Sequence, residues 1–236
     1  MGGWLNAVTV DGVRIGMYTS HYRVARWIGA PSLFFAFVRW YCHVRVEGLD
    51  NVPQTGAFII AANHSSHADS AVIYATLPPN QRRRLLAAAA RDYFFENDAR
   101  QFVSRSLFNA IPVARDAAVG EDPLRHPTRA LREGYGLLLY PEGTRSVNGV
   151  IGVFRNGIGR LVAEFPGIPV IPTALNGTDK VLPKDTTLPR PYPVCVRFGK
   201  PLHDLQANLA DKASWRSVAE EVRIAVIRLK QMPEEA

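Results

Sequence analysis

Residues 63–69, NHSSHAD, set two imidazoles, two hydroxyls, an amide and a carboxylate within seven positions, directly after the apolar run AFIIAA (57–62). A solvated loop has no need of that mixture. A carboxylate that accepts a hydrogen bond from one imidazole nitrogen fixes the tautomer and leaves the other nitrogen as a general base. His64 and Asp69 are five positions apart, which on a regular helix places two side chains on different faces. They meet only if His64 stays on the loop and Asp69 lies in the first helical turns. The hydroxyl to be deprotonated can belong to a substrate, because the chain has no G-x-S-x-G elbow to present a serine of its own. Ser66-x-x-Asp69 also has the form of a capping box, which starts a helix without any catalysis. His67 reads as a helix-surface residue rather than a second base. His64-x-x-His67 lacks a third ligand nearby, so no metal site is expected.

A second constellation has the same form. GLLLYPEGTRS (136–146) runs from a buried strand into a polar loop. Pro141 and Gly143 shape a tight turn that exposes Glu142, Thr144 and Arg145. Arg145, with backbone N–H groups and the Thr144 hydroxyl, can hold a phosphate; an ordinary turn with a surface ion pair is the plainer alternative. FNAIPVARD (108–116) delivers Arg115 from another strand end, and VIPTALNG (170–177) ends a strand in small and polar groups. Loops at strand ends carrying one base and two arginines imply a single pocket, whose ligand bears a phosphate and a hydroxyl.

The elements behind these loops follow an α/β rhythm. Strands are expected at 43–48, 57–62, 110–115, 136–140, 168–175 and 192–199, and helices at 66–77, 98–109, 123–134, 154–165 and 214–230. Pro78-Pro79 should end the first of those helices. RLLAAAA (84–90) reads equally as helix or buried strand. In the last helix Trp215, Val218, Val222, Ala225 and Leu229 share one face, which should pack on the sheet. Strands separated by helices predict an α/β fold with a largely parallel mixed sheet flanked by helices, and ligands beyond the carboxyl ends of the strands.

Residues 22–41 differ from the rest. The uncharged run from Trp27 to Val38 is too short to cross a bilayer as a simple helix, which takes about 20 residues. Its edges carry Arg23, Arg26, Arg39, Trp27, Trp40 and Tyr41, the mixture found at headgroup level. Pro31 should break the segment into two short helices or a kinked one. A buried core helix is the alternative, and the aromatic density slightly favours a re-entrant or surface-lying hairpin. The chain therefore divides into an N-terminal membrane-docking segment (1–42) and one domain (43–236).

The net charge of +7 predicts an anionic partner. No nucleic-acid module is present, neither zinc-finger spacing nor an aromatic RNP strand. Arg82-Arg83-Arg84 is the densest basic cluster; it can face phosphates or form a solvated turn. Cys42 and Cys195 lack metal-ligand spacing, and the first 20 residues lack a signal-peptide core, so a reducing cytoplasm is expected.

Together these motifs resemble the glycerolipid acyltransferase family, typified by the 1-acylglycerol-3-phosphate (lysophosphatidate) acyltransferases. Asn63–Asp69 matches that family's NHxSxxD, with Ala68 where leucine is common. Glu142–Ser146 matches EGTRS without a gap. FNAIPVARD is a looser match to the second motif, and Val170-Ile171-Pro172 matches an apolar V-x-P strand. Order and spacing agree across roughly residues 43–200. The resemblance implies transfer of a fatty acyl chain from acyl-CoA or acyl-carrier protein to a lysolipid hydroxyl, at the cytoplasmic face of a membrane and without a cofactor. It makes His64 the general base and Asp69 its orienting partner. Arg145, Gly143, Thr144, Glu142 and Arg115 would hold the acceptor phosphate, and Asn63, Ser66 and Pro172 would line the acyl or acceptor pocket. Another lysolipid or a non-glycerol hydroxylated acceptor, and hydrolysis of a thioester or lysolipid, fit the same motifs.

Overall fold

The run after position 57 alternates between two cores, as a strand's period of two requires. Phe58, Ile60 and Ala62 join one hydrophobic cluster, and Ile59 and Ala61 the other. The computed structural model describes residues 30–95, 97–114, 120–146, 149–183, 186 and 188–233. Its strands are β1 (Arg45–Glu47), β2 (Phe58–Ala62), β3 (Leu85–Ala90), β4 (Ile111–Val113), β5 (Gly136–Leu139), β6 (Val170–Asn176) and β7 (Cys195–Phe198). Its helices are α1 (Ala30–Tyr41), α2 (Asp69–Thr76), α3 (Pro79–Arg84), α4 (Arg91–Phe94), α5 (Asp98–Phe108), α6 (Arg125–Arg132), α7 (Gly157–Glu164), α8 (Thr178–Val181) and α9 (Lys212–Gln231).

The strands form one sheet in the order β1-β7-β6-β2-β5-β3-β4. All neighbouring pairs are parallel except β6 with β7. The expected α/β class and largely parallel mixed sheet are therefore what the chain forms. β2 lies at the centre between β5 and β6, so the loops that follow these strands open at the same edge. Helices cover both faces, as an all-buried parallel sheet needs. On one face Phe35 of α1 and Tyr74 of α2 pack with Phe58, Ile60 and Leu138. On the other Ile158 and Leu161 of α7 and Val218, Val222 and Val226 of α9 pack with Ile59, Leu137 and Val170. Each such side chain contributes about 1.5–3 kcal/mol on burial.

The structure settles some of these readings and corrects others. Of RLLAAAA, open between helix and strand, Leu85–Ala90 is a strand, because β5 and β4 pair with it on both sides, and Arg84 ends α3. The helix expected from 66 begins at Asp69, since Ser65 and Ser66 turn their N–H groups onto the Asp69 carboxylate. That helix does end just before Pro78-Pro79: its last residue is Thr76, and Leu77, the residue before Pro78, is extended, while Pro79 occupies the first turn of α3, where its missing N–H costs nothing. Gly159 lies inside α7 for a packing reason: a Cβ there would stand 2.1 Å from the Trp215 carbonyl oxygen of α9. Arg82 and Arg84 belong to the fold more than to a solvated turn. Arg82 lies 5.0 Å from the Phe35 ring centroid, and Arg84 donates to the Gly134 carbonyl at 2.9 Å.

Much of the segment 1–42 lies outside the described residues, including Arg23, Arg26 and Trp27. Its described part, α1, has Pro31 in its first turn and combines both readings of the sequence. Phe35 is buried and Phe34, Val38 and Tyr41 pack beside it. Leu33, Phe37 and Trp40 are 75%, 53% and 69% exposed. Among the described residues no helix is long and apolar enough to cross a membrane.

Candidate active site

At the carboxyl end of β2 the chain is pinned before it turns. The Asn63 amide donates to the Leu175 carbonyl at 3.1 Å and accepts from the Leu175 N–H at 2.8 Å, tying β2 to β6. The loop then closes around one carboxylate oxygen. Asp69 Oδ2 accepts from His64 Nδ1 at 2.7 Å, from Ser65 N at 2.8 Å and from Ser66 N at 2.9 Å. Asp69 is fully buried in the first turn of α2, where the helix dipole favours its negative charge. A carboxylate only accepts, so Nδ1 of His64 carries the proton and Nε2 has the lone pair. Nε2 has no hydrogen bond among the described residues.

The backbone of His64 is held from both sides by the loop after β5. Its N–H donates to Glu142 Oε1 at 2.8 Å, and its carbonyl accepts from Ser146 N at 2.8 Å. Glu142 Oε2 accepts from Gly152 N at 2.8 Å, so the buried carboxylate spans two loops. Gly143 takes a left-handed φ of 71°, and a Cβ there would stand 2.6 Å from the Arg155 side chain. The His64 ring stacks on Tyr140, with centroids 4.2 Å apart and planes at 19°. The Tyr140 hydroxyl lies 3.0 Å from Ser70 Oγ, and burial raises its pKa well above the usual phenol value.

His64 and Arg145 open onto one cavity of about 650 Å3, with Gly143 and Thr144 at its edge. Its inner walls are apolar, formed by Ala87–Ala90 of β3 with Val103, Phe108 and Val113. The small side chains of β3, ambiguous in the sequence, are what make the room. Nη1 of Arg145 is buried yet has no hydrogen-bond partner among the described residues. A buried guanidinium nitrogen left without an acceptor favours an anion beside it.

Thus His64, Asp69, Gly143, Thr144 and Arg145 come together as the spacing predicted. Arg115 lies outside the described residues. Four expectations are corrected. Glu142 does not face the cavity, because both oxygens are taken by backbone N–H groups; it fixes loops. Asn63 spends its amide on β6. Ser66 Oγ donates to the Leu182 carbonyl at 2.9 Å and accepts from Ala68 N at 3.1 Å. Pro172 lies within β6, paired with Ala61, and does not line the cavity. The sequence reading missed Tyr140, Tyr93, Arg100 and the cavity-facing position of His67. Only the aromatic at the end of GLLLY gave a signal, since it sits at a strand's carboxyl end.

The family model described as Acyltransferase matches residues 43–176, more than half of the chain. The chain belongs to the acyltransferase family. A 1-acyl-sn-glycerol-3-phosphate acyltransferase of Bacillus subtilis is 25% identical over 189 residues, 80% of this acyltransferase chain and 87% of that one. The chloroplastic enzyme BAT2 of Brassica napus is 27% identical over 188 residues, 76% of this chain and 51% of its own length. The chain spans about half the length of the plant relatives it matches. Tafazzin of Drosophila melanogaster is 28% identical over 170 residues, 67% of this chain and 43% of that protein. The crystal structure of PlsC, the 1-acyl-sn-glycerophosphate acyltransferase of Thermotoga maritima, aligns at a TM-score of 0.64, covering 94% of this chain and 92% of that one at 21% identity. That likeness is one of fold.

Proposed function

We propose that this acyltransferase moves a fatty acyl group from a thioester, acyl-CoA or acyl-carrier protein, to the free hydroxyl of 1-acylglycerol-3-phosphate, forming phosphatidate. The observation that carries the reading is a tautomer-fixed base and a half-buried arginine, whose buried Nη1 has no partner among the described residues, opening onto one apolar cavity. A base alone suits many reactions. A base, an anion seat and room for hydrocarbon in one cavity suit a lysolipid with a phosphate. The names of the Bacillus and Brassica relatives point to the same acceptor.

In this mechanism His64 Nε2 takes the proton of the acceptor hydroxyl as its oxygen attacks the thioester carbonyl. The tetrahedral intermediate collapses, the carbon–sulfur bond breaks, and His64 returns the proton to the leaving thiolate. Asp69 holds the imidazole and stabilises the imidazolium between the two transfers. Arg145, with Gly143 and Thr144, holds the acceptor phosphate, and Arg115 is a further candidate for that role. The thioester is already activated, so proximity and proton transfer suffice without an enzyme nucleophile or a cofactor.

The substrates are lipids, and the bare face of α1 supports docking on the cytoplasmic face of a bilayer. Leu33, Phe37 and Trp40 can enter the acyl boundary while Arg39 meets anionic headgroups. The remainder of segment 1–42 would extend that contact, with 43–236 as the catalytic domain.

The test is thiol release from acyl-CoA by purified wild type and His64→Ala, with and without lysophosphatidate, repeated with acyl-carrier protein. Release that needs both the acceptor and His64 is the expected result. Equal release without acceptor makes the chain a thioesterase and removes the transferase reading. Turnover only with other lysolipids or non-glycerol alcohols keeps the chemistry and replaces the acceptor.

A further inference from the structure

Two basic side chains at the cavity mouth have no part in the proton transfers above. His67 stands in the turn before α2, and its ring stacks on Tyr93 of α4 with 5.5 Å between centroids and 16° between planes. The guanidinium of Arg100, from α5, lies 4.7 Å from the centroid of the same Tyr93 ring. All three line the cavity together with Arg145. These contacts are ring contacts. They fix position and leave the N–H donors of both side chains uncommitted. Among the described residues neither the His67 ring nor the Arg100 guanidinium has a hydrogen bond or an ion pair.

The charges that face His67 are Arg145 from the loop after β5, Arg100 from α5, and His64 and Asp69 from its own loop and helix. Asp69 is already committed to His64. Burial first, and then the charge of Arg145, hold the His67 pKa below its ordinary value. That is the state of a basic cluster without its anion.

We propose that His67 and Arg100, carried on Tyr93, complete with Arg145 the seat of the acceptor's phosphate and select a phosphate monoester over a diester. The inference rests on the acceptor reading under Proposed function. A monoester at neutral pH has a charge of about −1.5 to −2 and three free oxygens. The Arg145 fork satisfies two oxygens. The third needs a donor from another direction, which His67 and Arg100 supply. In a diester that oxygen carries the headgroup and offers no acceptor of comparable charge. The sequence hides this seat, because His67, Tyr93, Arg100 and Arg145 lie on four separate elements and Arg100 belongs to no motif.

The experiment is steady-state thiol release by wild type, His67→Ala, His67→Gln and Arg100→Gln, with lysophosphatidate and lysophosphatidylglycerol as alternative acceptors. The ratio of kcat/KM for the monoester over the diester should fall about tenfold in His67→Ala and in Arg100→Gln, the worth of one hydrogen bond to a charged group. The loss should lie in the KM for lysophosphatidate. His67→Gln keeps an N–H donor and should recover part of it. Equal losses on both acceptors, or a raised KM for acyl-CoA in place of the acceptor, overturn the proposal; the second outcome gives the seat to the donor's phosphates.

Calorimetric binding of glycerol 3-phosphate to the same proteins needs no turnover. It should weaken in both His67→Ala and Arg100→Gln, and unchanged affinity overturns the seat. If the wild type accepts neither lysolipid, the acceptor reading falls and this inference with it. If the wild type and both variants prefer lysophosphatidate equally, only the seat falls.

Discussion

His64 and His67 stand three residues apart on one loop and are held in opposite ways. His64 is fixed through hydrogen bonds at Nδ1, at its backbone N–H and at its carbonyl, with Tyr140 against its ring. Among the described residues, the contact that fixes the His67 ring is the face of Tyr93. The first arrangement specifies a tautomer and leaves one lone pair. The second specifies a place and leaves every donor open. A base needs the former, because its proton inventory must be certain before the substrate arrives. A binding group does well with the latter, since its hydrogen bonds are to be made with the ligand. The same contrast separates the floor of the cavity from its mouth at α4 and α5.

The most severe way to break this comparison is to remove what fixes His64. Asp69→Ala should lower turnover by about 10²-fold or more, as loss of an oriented general base does. It should also lower stability, because the Ser65 and Ser66 N–H groups lose their acceptor along with Nδ1. Asp69→Asn separates the two effects. The amide oxygen can still accept from backbone, but the pair loses its charge and the tautomer its control. A variant folded by circular dichroism yet turning over at the wild-type rate would take Asp69 out of the chemistry.

The next largest effect tests whether the loop after β5 positions the base. Glu142 accepts one N–H from His64 and one from Gly152. Glu142→Gln keeps one acceptor oxygen and leaves one backbone N–H unpaired, which costs about 1–3 kcal/mol when buried. Turnover should fall about tenfold with little change in acceptor KM. A rise in acceptor KM at constant kcat would instead put Glu142 in contact with substrate, as the motif alone had suggested.

That correction shows where the sequence was legible. Short apolar runs of strand length made β2, β5 and β6 readable, and two short motifs identified the base, its carboxylate and Arg145. Those signals are local. Glu142, Asn63 and Ser66 were readable as polar residues at strand ends, but not in their direction. Whether a polar side chain faces a cavity or a neighbouring backbone depends on what the sheet order places beside it. β5 and β6 flank β2 only through long crossovers, so Leu175 and Gly152 could not be foreseen as partners. β3 was ambiguous for the same reason, since four alanines become a strand only through pairing with β4 and β5. Arg100 and Tyr93 meet His67 across separate elements and gave no local pattern.

A moderate effect is expected at α1, where one face packs on the core and the other is bare. Replacing Leu33, Phe37 and Trp40 together by serine should leave the fold intact and weaken sedimentation with vesicles containing anionic lipid. Each exposed large apolar residue that enters the interface should count for about 1–2 kcal/mol, given partial burial. Undiminished sedimentation would locate the docking surface elsewhere.

The smallest effect concerns an ion pair that resembles the His64–Asp69 pair in burial but serves the fold. Arg197 is buried in β7 and donates from Nε to Glu47 Oε2 of β1 at 2.6 Å. It also donates to the carbonyls of Leu229, Met232 and Pro233 at the end of α9. The hydrogen bond from Arg197 holds the Glu47 pKa below its ordinary value. A carboxylate depressed on folding contributes stability that is fully present above its unfolded pKa, about 4.3. That contribution is lost as pH falls through the folded value. Denaturant midpoints measured between about pH 6 and pH 3 should therefore decline less steeply in Glu47→Gln than in wild type below about pH 4.3. Turnover at neutral pH should be unaffected, because neither side chain lines the cavity. Identical acid slopes in the two proteins would mean that Glu47 gains nothing from Arg197 on folding.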